Sequence, residues 1–290
     1  MFQTLSSVQK ATFLSILGTF LFSVGDILRK FVLQDHSAPE VQLWASTASV
    51  IAIILVSKKL GGIKSLKTIS KPHIHFVKSV LVTLIMGCAV MALERLSLDV
   101  FYTLIFTIPM ITSILAAIFF KEPLSLYKAL IICMGFVGVL VIIRPDGDID
   151  LFGVVLTMLL AFSFSLNSIL NKCFSPDEAK FPFGFLPYAL SALVFLIINK
   201  GVFVDIGYIN IILCAIAGTV SVFAMVILVY AYQTAKASVA APYQYTQLIW
   251  GVIAGIILFN DVPDIWVLLG ALIIITAGVI LYKLETRKNA

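Results

Sequence analysis

The chain has 290 residues, of which 61% are hydrophobic and 12% charged, with a mean hydropathy of +1.09. A soluble domain carries about 25% charged residues, so half that share excludes a water-solvated globule and makes lipid the solvent for much of the chain. The net charge of +5 comes from basic residues lying between apolar stretches, which reads as membrane topology and excludes a nucleic-acid footprint.

A membrane-spanning helix needs about 20 mostly apolar residues. Ten segments qualify: 11–33, 40–57, 74–93, 98–120, 125–143, 151–172, 182–199, 207–231, 237–259 and 264–283. The predicted class is all-α integral membrane, with connections too short to fold as a separate domain. The first segment is too long for a cleaved signal, ends in Arg29-Lys30 and lacks a small-x-small site, so it reads as a retained helix. An even helix count puts both termini on one side. With the termini in the cytoplasm, fifteen Lys and Arg lie inside against five outside (Arg29, Lys30, Arg95, Arg144 and Lys200). That split predicts cytoplasmic termini.

The chain repeats itself. FLFSVGDILRK, Phe20 to Lys30, returns as FSFSLNSILNK, Phe162 to Lys172, with six of eleven positions matching. Lys121-Glu122-Pro123 is answered by Asp261 and Pro263, and Gly138-Val139 by Gly278-Val279. The repeat unit spans five helices, an odd number, so the halves must insert with opposite orientation. The expected organisation is two inverted five-helix repeats, residues 1–145 and 146–290. Inverted repeats let two halves exchange conformations and open alternately to each side of a membrane, which is a transporter design.

The repeat endings, an acidic residue and Pro followed by a Gly-Val-rich helix, resemble the EamA branch of the drug/metabolite transporter superfamily. The matching stretches are FTIPMITSILAAIFFKEPLSLYKALIICMGFVGVLVIIRP and APYQYTQLIWGVIAGIILFNDVPDIWVLLGALIIITAGVILY. The resemblance implies ten helices around a central cavity, a small-molecule substrate and a bacterial inner (cell) membrane location. Asp26 to Lys30, Asn171-Lys172 and Ala241 to Tyr245 resemble the S-adenosylmethionine uptake carriers of intracellular bacteria. A drug or amino-acid exporter of the same superfamily is the alternative. Many members place an Arg early in helix two, where this chain has VQLWAS around Trp44, so no role of that Arg carries over.

Ionisable groups inside membrane helices cost about 2.5–3.5 kcal/mol each and are functional candidates by default. Asp26 lies inside helix one with Lys30 one turn later on the same face. They read as a charged site on the substrate path, with proton uptake by the carboxylate as a coupling candidate, or as a structural pair with Lys30 snorkelling to the interface. Asn167 and Asn171 follow Ser163 on one face of helix six and lean toward a wet cavity, whereas Ser163 leans toward packing. Tyr243, Gln247 and Trp250 share a face of helix nine, with Gln244 adjacent. Two amides and an indole in lipid need protein or water to face, and such a face can stack a ring or hold a cation. Tyr102 and Phe106 are candidates for the opposite wall, with plain packing as the competing reading. Glu94, Arg95 and Asp99 read as an interfacial turn, and Glu122 and Asp261 as braces at helix ends. Pro109 falls mid-helix, a position for a kink.

Cys88, Cys133, Cys173 and Cys214 form no C-x-x-C pair and read as small buried hydrophobes. His73 and His75 sit in a basic loop without partner ligands, so neither a metal nor another cofactor is expected. No P-loop is present, which points to a gradient or exchange as the energy source. An intramembrane aspartyl enzyme needs two carboxylates at one site, and no second Asp falls deep in another helix. A channel or scaffold leaves the repeat unexplained.

Overall fold

The structure, a computed structural model, describes residues 7–121, 125–143, 149–171, 180–234 and 246–288. Within them lie α1 (Ser7–Val32), α2 (Ala38–Leu55), α3 (Pro72–Arg95), α4 (Leu98–Ile105), α5 (Ile108–Phe120) and α6 (Leu126–Ile143). The second half holds α7 (Leu151–Asn171), α8 (Phe181–Ile198), α9 (Tyr208–Thr234), α10 (Thr246–Ala254, continued by a π turn Gly255–Phe259) and α11 (Ile265–Lys288). Among the described residues nine stretches are long and apolar enough to cross a membrane, α4 and α5 together forming one of them. The expected span 237–259 is described only as the shorter apolar helix Thr246–Phe259.

Helix boundaries follow local chemistry. Pro39 and Pro72 occupy the first turns of α2 and α3, where a missing N–H costs nothing. At α2 the Ser37 N–H donates to the Glu40 carboxylate at 3.1 Å, and the Ala38 N–H donates to Glu94 of α3 at 3.3 Å. Pro109 is not mid-helix, as the sequence suggests. The helix stops at Ile105, turns through Phe106 and Thr107, and restarts with Pro109 in the first turn of α5. A proline cannot donate to residue i−4, and its ring disfavours helical geometry in the residue before it. The Thr107 hydroxyl and the Ser165 hydroxyl donate to the carbonyls of Leu104 (2.8 Å) and Ile108 (3.2 Å) at this break. His73 and His75 also differ from expectation. Both lie in the first turn of α3, and His75 is buried with its ring 4.6 Å from that of Phe183.

The outside is apolar, as lipid requires, while the largely apolar interior holds the buried hydroxyls. Ser15, Thr19, Ser23, Ser163, Ser165 and Ser191 are buried, while Phe119, Leu140, Ile197, Ile216 and Leu272 are exposed. Buried hydroxyls return their hydrogen bonds to carbonyls one turn earlier, as Thr19 does to Ser15 and Ser23 to Thr19. Close crossings use glycine. A Cβ on Gly218 of α9 would overlap the Ala45 carbonyl of α2, and one on Gly138 of α6 would lie 3.0 Å from the Gly270 carbonyl of α11.

Contacts fix helix directions. Lys30, near the end of α1, reaches the Leu93 and Leu96 carbonyls at the end of α3. Lys78, near the start of α3, reaches Asn167 near the end of α7. Hence α1 runs with α3 and α7 runs against both. Helices α2 and α8 run oppositely, Gln42 meeting Ser191 and Ile53 meeting Gly184. So do α6 and α11, with Gly135 beside Ala277 and Ile142 beside Gly270.

Candidate functional site

The α1 face carries a polar cluster. The Arg29 guanidinium donates to the Asp26 carboxylate at 3.3 Å and to the Ser221 hydroxyl of α9 at 3.0 Å. The Tyr102 hydroxyl of α4 donates to the other Asp26 oxygen at 3.1 Å. Tyr102 is fully buried, and a Cβ on Gly251 of α10 would overlap its ring. Asp26 thereby ties together α1, α4, α9 and α10. Arg29 Nε is buried without an acceptor, so this cation has donor capacity to spare.

The expected pairing of Asp26 with Lys30 does not occur. Positions i+3 and i+4 share the Asp26 face, and the neighbours decide between them. Ser221 draws the long Arg29 fork inward. Lys30 instead donates to the Leu96 carbonyl at 2.7 Å and the Leu93 carbonyl at 3.3 Å, capping α3 where its last carbonyls lack helical partners. The Lys30 ammonium also sits 5.4 Å above the Phe259 ring. A cavity of about 140 Å³ opens beside it, lined by Lys30, Gln34, Glu94, Phe259 and Asp261 with Leu33 and Leu93. Asp261 was expected to brace α11, yet it faces this cavity. Burial holds its carboxyl above the ordinary carboxylate range, against the opposing pull of Lys30 and with a smaller push from Asp99.

Of the α10 face, Gln247 and Trp250 are half-buried, and Tyr243 and Gln244 lie outside the described residues, as do Pro242 and Tyr245. Trp250 packs edge-on against Phe20 of α1 with ring centroids 5.1 Å apart, and its Nε1 is buried without an acceptor. Thr246 and Thr19 join their hydroxyls at 2.9 Å across the same α1/α10 seam. Phe106 is buried at the α4/α5 break, as packing would have it.

On α7, Ser163 is buried, and Asn167 accepts from the Lys78 ammonium at 2.9 Å. Asn171 ends the helix. Lys78 was read as a topology charge, yet it is only 5% exposed. Its ammonium stands 5.6 Å from the Phe183 ring centroid. Arg95 pairs with Asp150 at 3.0 Å and Glu94 holds α2, so the interfacial turn is a brace between helices. Cys88 and Cys214 are buried, whereas Cys133 is exposed on an apolar helix, and Glu122 and Cys173 lie outside the described residues. Sequence reading missed Arg29, Lys78 and the Ser15, Thr19 and Ser23 stripe. The stripe was detectable, since its four-residue spacing aligns three hydroxyls on one face.

The model of the EamA-like transporter family matches residues 9–144 and, a second time, residues 151–283. The chain belongs to the EamA-like transporter family. EamA membership makes it a multi-pass membrane transporter of small molecules and not an enzyme. Among EamA-type relatives, the chain is 27% identical to the S-adenosylmethionine uptake transporter of Rickettsia conorii, covering 96% of both chains. It is 26% identical to the protein of that name in Rickettsia prowazekii, covering 91% of this chain and 90% of the other. A riboflavin transporter of Rhizobium johnstonii is 22% identical, covering 94% and 91%. A crystal structure at 15% identity superposes with a TM-score of 0.62 over 97% of this chain and 99% of the other, which is likeness of fold alone.

Proposed function

We propose that this chain is a secondary carrier for S-adenosylmethionine or a related nucleoside–amino-acid compound, working by alternating access in a bacterial inner membrane. The observation that carries the proposal is the half-buried Asp26–Arg29 pair with the buried Tyr102, a polar cluster that joins α1, α4 and α9 inside a lipid-solvated bundle. The substrate class rests on the Rickettsia relatives, which cover nearly the whole chain.

Ten helices in two inverted repeats, 1–145 and 146–290, form the frame of this reading. Support comes from the two matches of one family model and from the pairing of helices. Helix α1 packs on α9 as α7 packs on α3, and α10 packs on α1 as α5 packs on α7. Equivalent helices α2 and α8, and α6 and α11, cross in opposite directions. Cytoplasmic termini are supported by Lys58, Lys59, Lys64 and Lys67, which lie at the end of the bundle where α2 stops and α3 starts.

The substrate path in this reading is lined by Asp26, Arg29, Tyr102, Gln247 and Trp250, with Tyr243 and Gln244, outside the described residues, as further candidates. Asn167 and Asn171 lie toward the cytoplasmic end, Lys30 toward the opposite end, and Phe106 serves as a support. A cation with one unused donor, paired to a carboxylate, suits a zwitterionic solute that can exchange with the pair, each charge finding its opposite.

Uptake of radiolabelled S-adenosylmethionine into proteoliposomes tests the proposal. Saturable uptake of unaltered substrate is expected, with Asp26→Asn and Gln247→Ala lowering it about tenfold or more. Wild-type uptake in both variants rejects the site, and no uptake rejects the substrate. Collapsing the pH gradient slows a proton-coupled carrier and leaves an exchanger unchanged.

A further inference from the structure

The cavity beside Lys30 shares no lining residue with the Asp26 cluster and lies at the end of the bundle where α1, α3 and the π turn after α10 all finish. Two kinds of charge face each other across it. The Lys30 ammonium has three donors, of which the Leu93 and Leu96 carbonyls engage two. Glu94 uses one oxygen to hold the Ala38 N–H. Asp261 follows Asn260, whose left-handed backbone (φ 55°) ends the π turn. Lys30 and Asp261 influence each other electrostatically without closing into a contact pair among the described residues.

Opposite charges within reach normally collapse onto one another. Here the backbone prevents it. The α3 carbonyls anchor the lysine, and the Asp261 N–H is fixed to the Gly255 carbonyl at 2.9 Å. A space lined by one cation and two carboxylates is complementary to a small solute carrying both charges. At about 140 Å³, it compares with the roughly 150 Å³ cavity that admits benzene, enough for an ammonium, a Cα and a carboxylate.

We propose that this cavity is a capture site for the zwitterionic head of an α-amino acid, with the carboxylate on Lys30 and the ammonium between Glu94 and Asp261. The Phe259 ring backs the site and gives the ammonium a second, cation–π partner. The proposal rests on the carrier reading in taking this end of the bundle as the outer face, where solute arrives.

The test is calorimetric titration of the full chain in lipid nanodiscs with L-methionine. Two analogues each lack one charge: 3-(methylthio)propylamine and 4-(methylthio)butanoate. Saturable methionine binding is expected, with both analogues at least tenfold weaker. Asp261→Asn and Glu94→Gln should each weaken methionine about tenfold. Melting curves check that the variants are folded, and Asp261→Asn alone suffices if Glu94→Gln loosens α2. Absent methionine binding, analogues as tight as methionine, or a folded Asp261→Asn that binds as wild type each overturn the site. Methionine binding without S-adenosylmethionine uptake supports the site and rejects the substrate assignment. Uptake with an unchanged KM in Asp261→Asn rejects the site and leaves the carrier standing.

Discussion

Asp26 and Arg29 balance each other inside a helix where an unpaired charge costs about 2.5–3.5 kcal/mol to insert. Arg29→Gln leaves the half-buried Asp26 carboxylate without its cation, a loss below the about 3–5 kcal/mol of breaking a fully buried pair. The double variant Asp26→Asn with Arg29→Gln should recover much of that loss in thermal unfolding while transport stays at least tenfold down. Recovery of transport along with stability would mean the pair is only a brace. Asp26 was legible because a carboxylate in an apolar run needs a reason. Its partner was not, because Arg29 and Lys30 lie on the same face and only Ser221 and the end of α3 separate their directions. Asp150 adds a pH signature. The Gly153 N–H and then the Arg95 side chain hold its carboxyl below the usual range. Its contribution is present above the ordinary carboxylate pKa and fades as pH falls through the lowered one. Asp150→Asn should flatten that acid limb in melting curves taken from pH 6 to 3.

At the scale of elements, the α4/α5 break and the glycine crossings position the site. Tyr102 reaches Asp26 because Gly251 leaves room for its ring. Gly251→Val should displace that ring, destabilise by about 1–3 kcal/mol, and reduce transport as far as Tyr102→Phe does. Tyr102→Phe removes one hydrogen bond to a charged group, worth about 1.5–3 kcal/mol, without overpacking. If Gly251→Val transports normally, the α10 contact does not set the tyrosine. The break at Phe106 was half legible. Pro109 announced an interruption, but a kink within one helix and a stop with restart give the same sequence signal. The Thr107 hydroxyl that bonds the Leu104 carbonyl is local, but the Ser165 hydroxyl that bonds the Ile108 carbonyl comes from a helix distant in sequence.

For the whole molecule, opposed helix directions predict opposed accessibility. Lys64 lies between α2 and α3, and Lys200 lies just past α8. Lys64→Cys should react with an impermeant thiol reagent only from the cytoplasm, and Lys200→Cys only from outside. Both reacting from one face would reject the inverted arrangement. A saturating substrate should also raise the melting temperature, since about a hundredfold excess over Kd adds about 2.7 kcal/mol to apparent stability.

The sequence by itself determined that this chain lies in lipid and, for most of its described helices, where they begin and end within a few residues. These properties depend on composition and on local periodicity, which a linear string carries in full. Only the tertiary structure decided that Arg29 pairs with Asp26, that Lys30 caps α3, that Lys78 is buried on Asn167, and that Asp261 faces a cavity with Glu94. Each depends on which distant helix supplies the nearest acceptor. In a bundle without bulk water, that neighbour sets where a polar side chain points.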